Sequence, residues 1–113
     1  FEKGKDILVP FPFTDLSSQK IRPALIVSKH QHVPDNVIVA FISSKIPKKT
    51  GRAHIVMKMT DHSFKTSGLK EESIIRCDKL ATLDKKIVLG EIGKLNSDSM
   101  NKVTMALKSV LGL

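Results

Sequence analysis

The stretch Gly4-Lys5-Asp6-Ile7-Leu8-Val9-Pro10-Phe11-Pro12-Phe13-Thr14-Asp15-Leu16-Ser17-Ser18-Gln19-Lys20-Ile21-Arg22-Pro23-Ala24-Leu25-Ile26-Val27-Ser28 places two short apolar runs on either side of a polar loop. Ile7-Leu8-Val9 is β-like and runs into Pro10-Phe11-Pro12-Phe13, where two prolines predict an end to regular pairing. Thr14 to Lys20 is polar and reads as a loop. Ala24-Leu25-Ile26-Val27 is continuously apolar and too short for a helix, so it predicts a buried strand.

The same alternation of turns and short apolar runs continues outward. Pro34-Asp35-Asn36 is a turn signal, and Val37-Ile38-Val39-Ala40-Phe41-Ile42 after it is β-branched enough to be a second buried strand. Lys48 to Gly51 turns the chain into His54-Ile55-Val56-Met57, another strand. Thr60 to Lys70 reads as a loop with room for one helical turn, and Ser73 to Leu83 is strand-like again. Only the end has helical spacing: Met100, Val103, Leu107, Val110 and Leu111 fall on one face. Asn96 or Ser97 can cap its start, Asp98 and Lys108 suit its two ends electrostatically, and Gly112 stands where it would stop. Several strands closed by one helix predict a mainly β fold, a strongly bent sheet or small barrel.

At 113 residues the chain predicts one domain, 1–113. No apolar run is long enough to span a bilayer, and Phe1 to Asp6 lacks the plan of a secretory signal. The chain begins without Met, so a short leader can precede it. The single cysteine, Cys77, cannot form an internal disulfide and fits a reducing cytosol. Nineteen Lys and Arg against eleven Asp and Glu give a charge of +8, which favours a polyanionic partner. With no Trp, no Tyr and five Phe, an aromatic stacking platform is barely available, so polar and cationic groups would have to carry nucleic-acid binding.

Three segments together resemble the MazF/PemK family of toxin ribonucleases. They are Gly4 to Ser28, with its loop followed by Arg-Pro and an apolar strand; Val37 to Ile46, VIVAFISSKI; and Glu72 to Leu95, ESIIRCDKLATLDKKIVLGEIGKL. They stand in family order and cover nearly the whole chain. The resemblance implies an SH3-like barrel of the MazF/PemK/CcdB type with a C-terminal helix, a homodimer, and a cytoplasmic enzyme that cuts single-stranded RNA, chiefly messenger, with sequence selectivity. It also implies neutralisation by an antitoxin whose acidic, disordered segment folds onto the toxin. No cofactor is implied.

RNA can be cut without metal when its own 2′-hydroxyl attacks the adjacent phosphate, leaving a 2′,3′-cyclic phosphate and a 5′-hydroxyl. The protein must then align the strand, stabilise charge on the transition state and move two protons. Arg22 precedes Pro23, which biases it to extended backbone, and guanidinium matches phosphate oxygens bidentately. By itself such a residue is more often a surface ion pair; the family position makes it the first candidate for charge stabilisation. Ser43 aligns with the family's Thr, with Ser44 beside it, and keeps the hydroxyl without the methyl group that restricts the Thr rotamer. Arg76 and Asp78 share one strand face with Cys77 on the other, and one branch of the family uses this Arg-x-Asp pattern. The alternative is a cross-strand ion pair of small energetic value.

Asp78 is the expected acceptor of the 2′-hydroxyl proton, with Asp15 behind it. Phe13, Thr14, Asp15, Gln19, Lys20, Ser44 and Lys45 are the expected substrate-binding residues. His30, His32, His54 and His62 read as solvated or otherwise unremarkable, and no His/Cys/acid cluster has metal-ligand spacing. Two rivals remain. A gyrase-binding toxin of the CcdB type relies on a Trp near its C-terminus, and this chain has none. A catalytically decayed RNA-binding module would explain Ser43.

Overall fold

Lys5–Phe11 (β1) and Lys20–Ile26 (β2), the two apolar runs of the opening stretch, lie side by side and antiparallel in the computed structural model, which describes residues 1–11 and 20–113. Proline does not end β1 at Val9, because Pro10 stays paired opposite Ile21. The reason is the direction of the missing donor. Leu8 turns its carbonyl away from β2 and accepts the Leu89 N–H at 2.8 Å; Pro10, two residues on, turns the same way, past the point where the neighbouring strand stops. No ladder bond is lost. Pro23 is accommodated alike: it faces Leu8, and the pairing of β2 with the next strand begins one residue later, at Ala24 opposite Phe41. Pro12 lies outside the described residues.

The remaining strands are Asn36–Ser43 (β3), His54–Met57 (β4), Ser73–Asp84 (β5) and Gly90–Lys94 (β6). All pairings are antiparallel, in the order β4-β5-β3-β2-β1-β6, a curled six-stranded sheet that ends on β4 and β6. The fold is mainly β with a C-terminal helix, as the sequence predicts. In β5, Arg76 pairs with Phe41 of β3 but the next β3 partner, Ala40, pairs with Leu80. Residues 77–79 are thus set out of that ladder, while the Cys77 N–H turns to the Ala53 carbonyl at 2.9 Å on the other side. Such irregularities bend a strand and re-aim its side chains.

Phe64–Ser67 (α1) packs on β6, and Ser97–Leu111 (α2) packs on β4 and β5. The short helical turn expected within Thr60–Lys70 is α1. β6 has no counterpart among the strands predicted from the sequence, since two glycines and two charges in five residues carry little β propensity. Close packing defines it instead. A Cβ on Gly93 would stand 2.3 Å from the Thr66 carbonyl oxygen, and one on Gly68, which has φ +76°, would stand 2.0 Å from the Ile92 carbonyl oxygen. Two glycines let α1 lie directly against the β6 backbone.

Apolar side chains cover both faces of the sheet. Leu25, Ile42, Met57, Ile75 and Cys77 pack with Val103 and Ala106 of α2. Ile7, Val9, Ala24, Ile26 and Val39 form the second cluster on the opposite face. α2 begins and ends as its sequence predicts. The Asn96 side chain accepts the Ser99 N–H at 2.9 Å, and Gly112 closes the helix in the left-handed region. Its apolar stripe outruns the sheet, however: Met100 and Leu107 are partly buried, while Val110 and Leu111 are 39% and 55% exposed. Among the described residues no helix is long and apolar enough to cross a membrane.

Candidate active site

The strand face that carries Ile7, Val9 and Ala24 continues past the second core cluster into an open cleft of about 430 Å³. Alternation puts Arg22 beside Val9 and two residues before Ala24, so it emerges where the apolar face ends. Phe41, opposite both Ala24 and Arg76, forms part of the floor, and its ring meets that of Phe11 at 5.3 Å and 56°. Ser43 follows two residues later at the end of β3. Arg22, Ser43, Lys45, Arg76 and Asp78 all line this one cleft, together with Lys79. Four side chains chosen from the sequence as catalytic, drawn from three strands, therefore share one space.

Each group has a defined state. Arg22 is half-buried, and no described carboxylate lies within ion-pair distance of it. The Ser43 hydroxyl oxygen accepts the Lys45 N–H at 3.1 Å, which sets the hydroxyl at the cleft and leaves its proton to be donated. Arg76 grips Asp78 with two hydrogen bonds, Nε to Oδ1 at 2.9 Å and a terminal nitrogen to Oδ2 at 2.8 Å. These bonds hold the Asp78 carboxyl down at about 2, below the usual carboxylate range, and raise the Arg76 guanidinium further. Cys77 is buried on the far face, as alternation predicts, and burial pushes its thiol up to about 11, with the Asp78 charge adding to the effect.

Ser44 turns away from this cleft into a neighbouring depression that also contains Arg22, Pro23 and Ser73. Lys20 is exposed at the start of β2, opposite Phe11. Phe13, Thr14, Asp15 and Gln19 lie outside the described residues. The sequence did not single out Phe41 or Lys79. Phe41 could have been found, since it precedes Ser43 by two residues on the same strand face. His54 is the larger omission: it is not unremarkable but stands opposite Arg76 on β4, with Nε2 at 3.6 Å from Asp78 Oδ1. That neighbourhood depends on strand register, which no local pattern encodes. Among the described residues, no three His, Cys, Asp or Glu side chains are grouped to hold a metal ion.

Comparison with known proteins supports the same architecture. No curated protein sequence matches significantly. Among solved structures, an endoribonuclease in complex with its cognate antitoxin from a mycobacterial species superposes with a TM-score of 0.75 at 21% identity, covering 100% of this chain and 96% of that one. The Mycobacterium tuberculosis toxin MazF-mt6 gives 0.72 at 21% identity, covering 96% and 97%. A MazE-MazF structure from Deinococcus radiodurans gives 0.76 at 19% identity, covering 100% and 96%. A sequence model of the PemK-like, MazF-like toxins of type II toxin-antitoxin systems matches residues 2–111. With that match over almost its whole length, the chain belongs to the PemK/MazF toxin family.

Proposed function

We propose that this protein is an endoribonuclease toxin that cleaves single-stranded RNA, chiefly messenger, with sequence selectivity and without metal. The observation that carries the proposal is the convergence of Arg22, Ser43, Arg76 and Asp78 on one cationic cleft. The RNA 2′-hydroxyl attacks the adjacent phosphorus, the 5′-oxygen leaves, and a 2′,3′-cyclic phosphate remains. Arg22, free of a described carboxylate partner, stabilises the negative charge that accumulates on the phosphate oxygens. The Ser43 hydroxyl donates a hydrogen bond to a non-bridging oxygen.

Asp78 accepts the 2′-hydroxyl proton. Held by Arg76, it is ionised at neutral pH and so in the form a base requires, but it is weakly basic in that state. Substrate changes this. A guanidinium drawn toward the phosphate loosens its grip on the carboxylate, whose proton affinity then rises toward the ordinary carboxylate value. Arg76, still charged, stabilises the leaving 5′-oxygen through hydrogen bonds without losing its own proton, and that oxygen takes a proton from solvent water to become the 5′-hydroxyl.

Lys20, Ser44 and Lys45, with Phe13, Thr14, Asp15 and Gln19 of the opening loop, contact the bases and phosphates on either side. An acidic antitoxin segment suits the +8 charge, and a mycobacterial endoribonuclease of this fold is in complex with its cognate antitoxin. The toxin acts in the cytoplasm as a homodimer, which sedimentation at micromolar concentration checks.

Incubating the pure protein with mixed-sequence RNA in chelator tests the activity. New 5′-hydroxyl ends are expected, and Arg22→Ala, folded as judged by circular dichroism, should lose roughly 10²-fold or more of the rate. A folded Arg22→Ala protein that cuts like the parent would refute the assignment of Arg22. Binding without cutting would point to an RNA-binding module, and gyrase-dependent DNA breaks to a toxin of the CcdB kind.

A further inference from the structure

His54 sits behind the Arg76–Asp78 couple, pairing with Arg76 across β4 and β5, and it does not line the cleft. Its Nδ1 accepts the Gly51 N–H at 3.1 Å, so the proton of the neutral ring is on Nε2. That Nε2–H is shielded from solvent and has no hydrogen-bond partner among the described residues. It points at Asp78 Oδ1 from 3.6 Å, just beyond bonding distance. An unused buried donor is rare enough in a folded protein to call for a cause.

The cause lies in how Asp78 is held. Both of its oxygens are taken by Arg76, and residues 77–79 are out of register with β3. Among the described residues, Arg76 and His54 are the only basic side chains within 4.0 Å of this carboxylate. If Arg76 turns toward a phosphate, His54 is the donor in place to keep the carboxylate aimed.

We propose that His54 is a positioning residue: its Nε2–H closes onto Asp78 Oδ1 as the Arg76 guanidinium moves to the scissile phosphate. The inference rests on the ribonuclease reading of the cleft. It assigns His54 no contact with RNA. The ring is a second anchor that holds the carboxylate in line with the 2′-hydroxyl while its first partner is engaged elsewhere.

Two measurements test it. His54→Leu and His54→Gln are compared with the parent in single-turnover cleavage of saturating mixed-sequence RNA, and in binding to the same RNA with 2′-O-methyl groups. Gln carries an amide nitrogen about as far from the backbone as Nε2. His54→Leu should slow cleavage about tenfold or more with unchanged binding, and His54→Gln should recover most of the loss. Equal defects in the two variants, a loss confined to binding, or no loss at all would overturn the proposal.

The second measurement needs no RNA and no change at position 54. In Arg76→Ala, the His54 Nε2–H resonance should move downfield and exchange more slowly than in the parent; an unmoved resonance would overturn the proposal. A parent protein that cuts no RNA would instead remove the ribonuclease reading, and the resonance would still report whether His54 and Asp78 pair.

Discussion

Ser43 ends β3 with its oxygen already occupied by the Lys45 N–H, so its orientation is set by backbone and not by a branched side chain. That arrangement compensates for the methyl group that a Thr would use to restrict the rotamer. Ser43→Thr is expected to match or exceed the parent rate, whereas Ser43→Ala should lose roughly 10²-fold, the scale of one transition-state donor. Single-turnover cleavage separates the two. A different residue-scale prediction concerns Asp6, fully buried on β1 with no hydrogen-bond partner among the described residues for either carboxylate oxygen. Burial pushes its carboxyl up from 3.8 to about 7. Between those values the folded protein holds a proton that the unfolded chain gives up, so stability falls as pH rises from about 4 to about 7 and then levels off. Asp6→Asn cannot ionise. Its urea midpoint should exceed that of the parent at pH 8 and converge with it near pH 4; parallel midpoints across that range would contradict the linkage.

The contact of α1 with β6 is made by backbone against backbone, and glycine is what permits it. Gly93→Ala would press a methyl group to within 2.3 Å of the Thr66 carbonyl oxygen. Overpacking of this kind costs about 1–3 kcal/mol, here with no side chain able to yield. Gly51→Ala, where an added Cβ meets nothing within 4 Å, is the control and should leave the urea midpoint nearly unchanged. Neither glycine lines the cleft that holds Arg22 and Arg76, so cleavage per folded molecule should survive in both variants. β6 was illegible in the sequence for this same reason: its residues form a strand because of what packs on them. α2 was legible at both ends, because caps are local chemistry, with Asn96 satisfying a first-turn N–H and Gly112 adopting the left-handed region. Its last turn was not, since whether Val110 and Leu111 find a partner depends on where the sheet stops.

Over the molecule as a whole, the net +8 charge predicts that RNA binding, where it occurs, depends on released counterions. The cleft concentrates Arg22, Lys45, Arg76 and Lys79 around one Phe pair, so its hold on a strand should be mainly electrostatic. Affinity for uncleavable 2′-O-methyl RNA should fall steeply with salt. Removing one phosphate-contacting cation, as in Lys45→Ala, should reduce the logarithmic slope by about 0.7. Lys65→Ala, exposed on α1 and away from the cleft, should leave the slope unchanged. Equal slopes for Lys45→Ala and the parent would remove Lys45 from the RNA contact.

Residue order alone established the short buried strands, the closing helix, and the placement of Arg76 and Asp78 on one strand face opposite Cys77. Periodicity and capping act over a few residues and need nothing from the rest of the chain. Family likeness in three segments picked out Arg22 and Ser43. Only the folded sheet decided that these side chains, carried on three strands, open into one cleft, that Pro10 can remain within a strand, and that His54 stands against Asp78. Each of those outcomes depends on register between strands distant in sequence, and register is set by which apolar faces bury one another.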